Sequence, residues 1–230
     1  MSYDVNVLVF KKFKWFSKSS SGFQKVYKLN EFILNMVEKL KNIALINLNE
    51  SYQKVLCWFF SFPDKEIGLN KLCKEVQISK TTAKKIVEDL IKEDFLVKKT
   101  FGKTWILSCN KNHSYNFTKK VSFNLAMISE AYERYLREKI LKLVGNANSV
   151  ILFGSYRKGD DTETSDIDVA VEVSDNKNLR IVELGVLSGL GFRKNVPVNL
   201  HIFCRNKIDV NLFSNIANGI LLEGFLEVKP

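Results

Sequence analysis

Proline is scarce in this sequence, with three among 230 residues, so no long rigid linker divides the chain. Apolar stretches such as Ser149 to Phe153 fall far below the ~20 residues of a membrane-spanning helix, so no span is expected. The opening residues MSYDVNVLVFKKFKWF lack the positive, apolar, small-residue order of a secretory signal. The protein is therefore expected in the cytoplasm. Cysteine is also sparse: Cys57, Cys73, Cys109 and Cys204 form no Cys-x-x-Cys pair, and only His113 and His201 could assist them. This excludes the usual zinc spacings and predicts free, buried thiols in a reducing compartment. What remains, 46% hydrophobic and 26% charged, is the composition of a soluble globular protein with room for two modest domains.

The net charge of +10 is unevenly spread. Residues 1 to 50 carry eight Lys against four acids, and residues 51 to 112 carry twelve against seven. Residues 113 to 230 carry fifteen basic against fourteen acidic residues. A basic N-terminal half points to a polyanionic partner, with a lysine-rich solvated surface as the alternative.

Residues 1 to 16 read as a strand or hairpin, SKSSSG at 17 to 22 as a flexible tract, and Leu29 to Ile43 as a helix by spacing. From Tyr52 the pattern predicts a helix (YQKVLCWFFSF), a short helix (GLNKLCKEV), a turn at Ile78-Ser79 and a longer helix (KTTAKKIVEDLIKED). Two strands follow around Phe101-Gly102-Lys103, where Gly supports a tight hairpin turn. Three helices and a hairpin form a winged helix-turn-helix, an order that resembles prokaryotic winged-helix DNA-binding domains. Ser79 is placed to cap the third helix, whose inward stripe is Ala83, Ile86, Val87, Leu90 and Ile91. Lys80, Thr81, Lys84 and Lys85 are left outward beside Glu88, and Lys98, Lys99 and Lys103 lie on the wing. These are candidate phosphate contacts. The helix offers no outward Arg, Asn or Gln for bidentate base reading.

Residues 112 to 122 read as a polar boundary, and Phe123 to Val144 as one long connecting helix. SVILF then reads as a buried strand running into Gly154-Ser155, where free backbone N–H groups and a hydroxyl could meet an anion. Arg157 and Lys158 are nearby cations. Asp166 and Asp168 flank Ile167 at the mouth of the apolar run VAVEV. Residues i and i+2 of a strand share one face about 6–7 Å apart, a spacing that suits divalent cations. Asp160, Asp161 and Glu163 read instead as solvated turn acids. Residues 175 to 191 and 210 to 228 read as helices with a terminal strand.

The stretch LFGSYRKGDDTETSDIDVAV resembles the signature of the DNA polymerase beta-like nucleotidyltransferase superfamily: Gly-Ser, a second Gly a few residues later, then Ser-Asp-x-Asp in an apolar strand. The succession of winged helix, connecting helix and transferase core is similar to archaeal proteins of that group. The expected fold is α+β: an extension at 1–50, a winged helix-turn-helix at 51–111, a connecting helix at 112–145 and a nucleotidyltransferase domain with a mixed sheet at 146–230. The resemblance implies that Gly154 and Ser155 hold the β- and γ-phosphates of a nucleoside triphosphate, assisted by Arg157 and Lys158. It also implies that Asp166 and Asp168 bind Mg²⁺ (or Mn²⁺). The sequence departs from the family at the third carboxylate, whose place in VPVNLHIF falls on Asn199; His201, on the same face, is an alternative base.

Two functions are thus expected. One is metal-dependent transfer of a nucleoside monophosphate to a hydroxyl of nucleic acid or of a partner protein, as in toxin–antitoxin pairs. The other is a DNA-binding transcriptional regulator or antitoxin-like protein with a catalytically weak transferase domain.

Overall fold

The computed structural model describes residues 49–228, so the strand, flexible tract and helix expected within residues 1 to 43 lie outside the described residues. Asn49 starts α1 (Glu50–Ser61) by accepting from the Ser51 N–H, leaving Val55, Leu56, Trp58, Phe59 and Phe60 on its buried side. After α2 (Leu69–Val76), the Ser79 side chain accepts from the Thr82 N–H and begins α3 (Lys80–Lys92). This helix buries Ala83, Ile86, Val87 and Leu90, and Ile91 is half-buried. Full burial of a side chain such as Leu90 is worth about 1.5–3 kcal/mol. Strands β2 (Leu96–Phe101) and β3 (Thr104–Cys109) form the wing, with Phe101 opposite Thr104 across the turn. A two-residue strand, β1 (Ile67–Gly68), pairs with β3 and completes a three-stranded sheet. The Phe95 ring meets Phe59 and Phe60 edge-on and joins helix to wing.

Residues 112 to 122, read as a polar boundary, are mostly exposed or half-buried. They hold α4 (Ser114–Phe117) and the start of α5 (Lys119–Ala131), and Asn116 and Lys120 are 3% and 1% exposed. The helix continues through a π-helical turn (Tyr132–Leu136) into α6 (Arg137–Val144). In a π turn residues i and i+5 come to the same side. Here that brings Tyr132 and Arg137 together on Glu223, with Arg137 donating through two nitrogens at 2.7 and 2.8 Å.

The second sheet is mixed, in the order β6 (Arg180–Leu187), β7 (Val196–Phe203), β5 (Ile167–Glu172), β4 (Ser149–Phe153), β8 (Ile220–Gly224). Strands β4 and β5 are antiparallel, while β5 and β7 are parallel. On one face Val150, Leu152, Ile167, Val169 and Val171 pack against Met127, Ile128, Tyr132, Leu136 and Ile140 of the long helix. On the other, Ile151, Phe153, Ala170 and Phe203 meet Ile216 of α8 (Val210–Ala217). Strand β8 (Ile220–Gly224) closes one edge.

The helix expected in residues 175 to 191 is replaced by the edge strand β6 (Arg180–Leu187). Its exposed Ile181 and Val186, and a bulge between Glu183 and Gly185, break the alternation that would have announced a strand. All four cysteines are free, but only Cys204 is buried and the other three are half-buried. Among the described residues no helix is long and apolar enough to cross a membrane.

Candidate active site

Strand register builds the site. Antiparallel pairing sets Phe153 opposite Asp168, so α7 (Gly154–Lys158) begins directly beside the Asp168 carboxylate. A Cβ on Gly154 would collide with that carboxylate, and the Gly154 φ of +74° is one that side chains other than glycine disfavour. Parallel pairing puts Asn199 opposite Asp168 and His201 opposite Ala170. Asn199 Nδ2 donates to Asp166 Oδ2, and His201 Nε2 lies 3.1 Å from Asp168 Oδ1. The His201 ring also stands edge-on to Phe153 at 5.0 Å. Ile167, between the two acids, is fully buried on the opposite face, while Asp166 and Asp168 are half-buried.

The Gly-Ser bend, the two acids, Asn199 and His201 therefore form one cluster. Ser155 is half-buried, and its hydroxyl has no hydrogen-bond partner among the described residues. Arg157 is half-buried and Lys158 exposed, and neither is ion-paired among the described residues. No Lys or Arg of the described residues is in ion-pair contact with Asp166 or Asp168; their partners are an amide and an imidazole.

Two adjacent carboxylates lacking a positively charged Lys or Arg partner are a donor set that fits a hard divalent cation. Among the described residues no group of three or more His, Cys, Asp or Glu side chains is arranged to hold a metal.

The loop leading to these acids is held from behind at Asp161, which is buried rather than solvated, while Asp160 is exposed and Glu163 half-buried. Asp161 is 2% exposed and pairs with Lys120 at 3.2 Å, and Asn124 Nδ2 donates to Asp161 Oδ1 at 2.8 Å. Burial pushes the Asp161 carboxyl up against the pull of Lys120, and burial pulls the Lys120 ammonium down. Asn124 also donates to the Tyr156 carbonyl at 3.2 Å. Glu163 pairs with Lys65 at 3.0 Å. Arg193, 6% exposed, donates to the Ser165 carbonyl, and its guanidinium lies 5.4 Å from the Tyr156 ring centroid. Asn124 and Arg193 thus brace the residues next to Ser155 and Asp166, and Lys120 holds the loop between them at Asp161. The sequence carries no local signal for them, because their partners lie 28 to 41 positions away.

In the winged helix, Lys80, Thr81, Lys84 and Lys85 are exposed on α3, and Lys98, Lys99 and Lys103 on the wing. They are not equally free. Lys99 pairs with Glu66 at 2.7 Å, and Lys84 lies 3.8 Å from Glu88.

Two stretches of the chain match known families. Residues 133–216 match the family model of the nucleotidyltransferase domain, and residues 69–110 match the TBPIP/Hop2 winged helix domain. A Methanocaldococcus jannaschii protein named "Putative protein adenylyltransferase" is 44% identical over 52 residues, 23% of this chain. The matched part spans half (50%) of that relative's length. The matched stretch carries a nucleotidyltransferase domain of the DNA polymerase beta-like superfamily, and a winged helix precedes it in the chain.

Proposed function

We propose that the protein is a cytoplasmic, Mg²⁺-dependent nucleotidyltransferase that moves a nucleoside monophosphate from a triphosphate to a hydroxyl. The observation that carries this reading is the juxtaposition of Asp168 with the Gly154-Ser155 bend, since a phosphate seated at the bend would lie beside that carboxylate, with Asp166 joined to the same strand end through Asn199. Gly154 lets the phosphate chain approach the main chain, the Ser155 hydroxyl donates to it, and Arg157 and Lys158 offset its charge. Asp166, oriented by Asn199, and Asp168, oriented by His201, would hold the divalent cation. When bound, that ion supplies neutralisation of the charge on the triphosphate and on the departing pyrophosphate. The acceptor oxygen forms its bond to the α-phosphorus as the bond to the β-phosphate oxygen breaks, pyrophosphate leaves, and the hydroxyl proton passes to water. The name of the M. jannaschii relative favours an adenylyl group and a protein acceptor. In this reading residues 51–111 are a nucleic-acid-binding module, 112–145 a connector and 146–230 the transferase domain.

Asn199 favours a second reading. An amide at the place of the third carboxylate is uncharged and a poor base, which suits a DNA-binding regulator with a weakened transferase domain. Calorimetry with a non-hydrolysable triphosphate and Mg²⁺, followed by labelled-nucleotide transfer in lysate, separates the two. Binding and transfer that both disappear in Asp166→Ala and Asp168→Ala support the transferase. DNA binding without nucleotide affinity supports the regulator.

A further inference from the structure

Trp58 and Trp105 have opposite surroundings. Trp58 is 2% exposed in the core of the winged helix, and its indole N–H donates to Glu75. Trp105 is half-buried, and its indole N–H has no protein partner among the described residues. It sits where the wing meets α3, and each element lays an ammonium on its ring. Lys98 Nζ is 4.4 Å from the ring centroid and Lys84 Nζ 5.5 Å. Register accounts for the wing's share: Thr100 lies opposite Trp105 and Lys98 opposite Leu107, so these four side chains occupy one face of the hairpin. Leu107 is fully buried, which turns that face toward the helices.

Lys98 has no carboxylate partner among the described residues, and the acid nearest Lys84 is Glu88 at 3.8 Å. Two ammonium groups gathered on one indole repel each other, and a phosphate chain relieves that repulsion by drawing them outward. The ring face they leave suits a nucleobase, since aromatic floors within basic grooves stack bases of any sequence. A paired duplex gains less here, because α3 carries no Arg, Asn or Gln for bidentate contacts to base edges in a groove.

We propose that the basic surface where α3 meets the wing binds an unpaired nucleic-acid strand, one base stacking on Trp105 and its flanking phosphates held by Lys84 and Lys98. This rests on the reading of the winged helix as a nucleic-acid-binding module, and the experiment separates the two. The full chain is titrated with a labelled single-stranded oligonucleotide and with a blunt duplex of the same sequence, by anisotropy and by tryptophan fluorescence. The single strand binds more tightly and quenches the emission. Trp105→Leu, which keeps apolar bulk without a π face, weakens single-strand binding about five- to 150-fold and abolishes the quench. Trp105→Phe keeps most of the affinity, which excludes misfolding as the cause. Lys84→Ala and Lys98→Ala each reduce the slope of log affinity against log salt by about 0.7. Single-strand affinity or quenching unchanged in Trp105→Leu, or tighter binding of the duplex, overturns the unpaired-strand surface while leaving the winged helix a nucleic-acid binder. Binding of neither probe overturns both.

Discussion

Asp161 and the pair Asp166 and Asp168 lie within one loop and strand, yet their environments are opposite. Asp161 is sealed in the interior with Lys120 and Asn124, so every charge it needs is supplied by the chain. Asp166 and Asp168 are half-buried and meet only Asn199 and His201. A carboxylate whose cation is built in serves architecture, and burial of such a pair fixes geometry more than it adds stability. Carboxylates left together without a positively charged Lys or Arg repel each other, a cost that a bound cation would remove. Their partners divide these acids, where the sequence had placed Asp161 among solvated turn acids.

The contrast breaks first at the buried pair. Lys120→Met or Asp161→Leu leaves an uncompensated charge in the interior and should lower the unfolding free energy by about 3–5 kcal/mol in urea titrations. Joint replacement, Lys120→Met with Asp161→Leu, should recover much of that loss. Asp166→Asn with Asp168→Asn should leave stability unchanged or raise it, because it ends a repulsion. A comparable loss from the second double variant would erase the distinction.

Gly154→Ala comes next. The new methyl group meets the Asp168 carboxylate at a backbone φ of +74°, so about 1–3 kcal/mol of stability should be lost. Nucleotide affinity by calorimetry should fall with it.

Much of this architecture was legible in the sequence because it is local. The winged helix follows from apolar periodicity, the Ser79 cap and the Gly102 turn, and the Asp166–Asp168 cluster follows from a strand period of two. The parts that were not legible depend on distant partners. Lys120 sits in a polar run and Asp161 in an acidic one, and nothing short-range says that they meet in the interior. Strand β6 presents Ile181 and Val186 to solvent at the sheet edge, so hydrophobicity points the wrong way there. Strand β1 is two residues long, too short for any period, and exists through its pairing with β3.

Asn199→Asp sharpens the comparison from the other side. It adds a third carboxylate opposite Asp168 in the parallel register. Without divalent cation the variant should be less stable than the parent. Calorimetry with Mn²⁺ should show affinity raised at least about tenfold. Equal affinity in both chains would mean that residue 199 does not face the ion.

Glu223 supplies an intermediate case and the smallest expected effect. Like Asp161 it has a cation on the chain, Arg137, yet it is a surface residue with its side chain 37% exposed. Hydrogen bonds from Arg137 and Tyr132 hold its carboxyl at about 2, below the ordinary value of 4.5. A carboxyl depressed on folding stabilises above its unfolded value and loses that contribution as pH falls through its folded one. The parent should therefore melt above Glu223→Gln at pH 6 to 7, and the gap should close between about pH 4.5 and pH 2. Solvent and salt screen this exposed pair, so added salt should also narrow the gap at neutral pH. The Lys120–Asp161 deficit should be unmoved by salt, because water does not reach that pair, and melting curves at low and high ionic strength would show whether burial, rather than the mere presence of a partner, divides these acids.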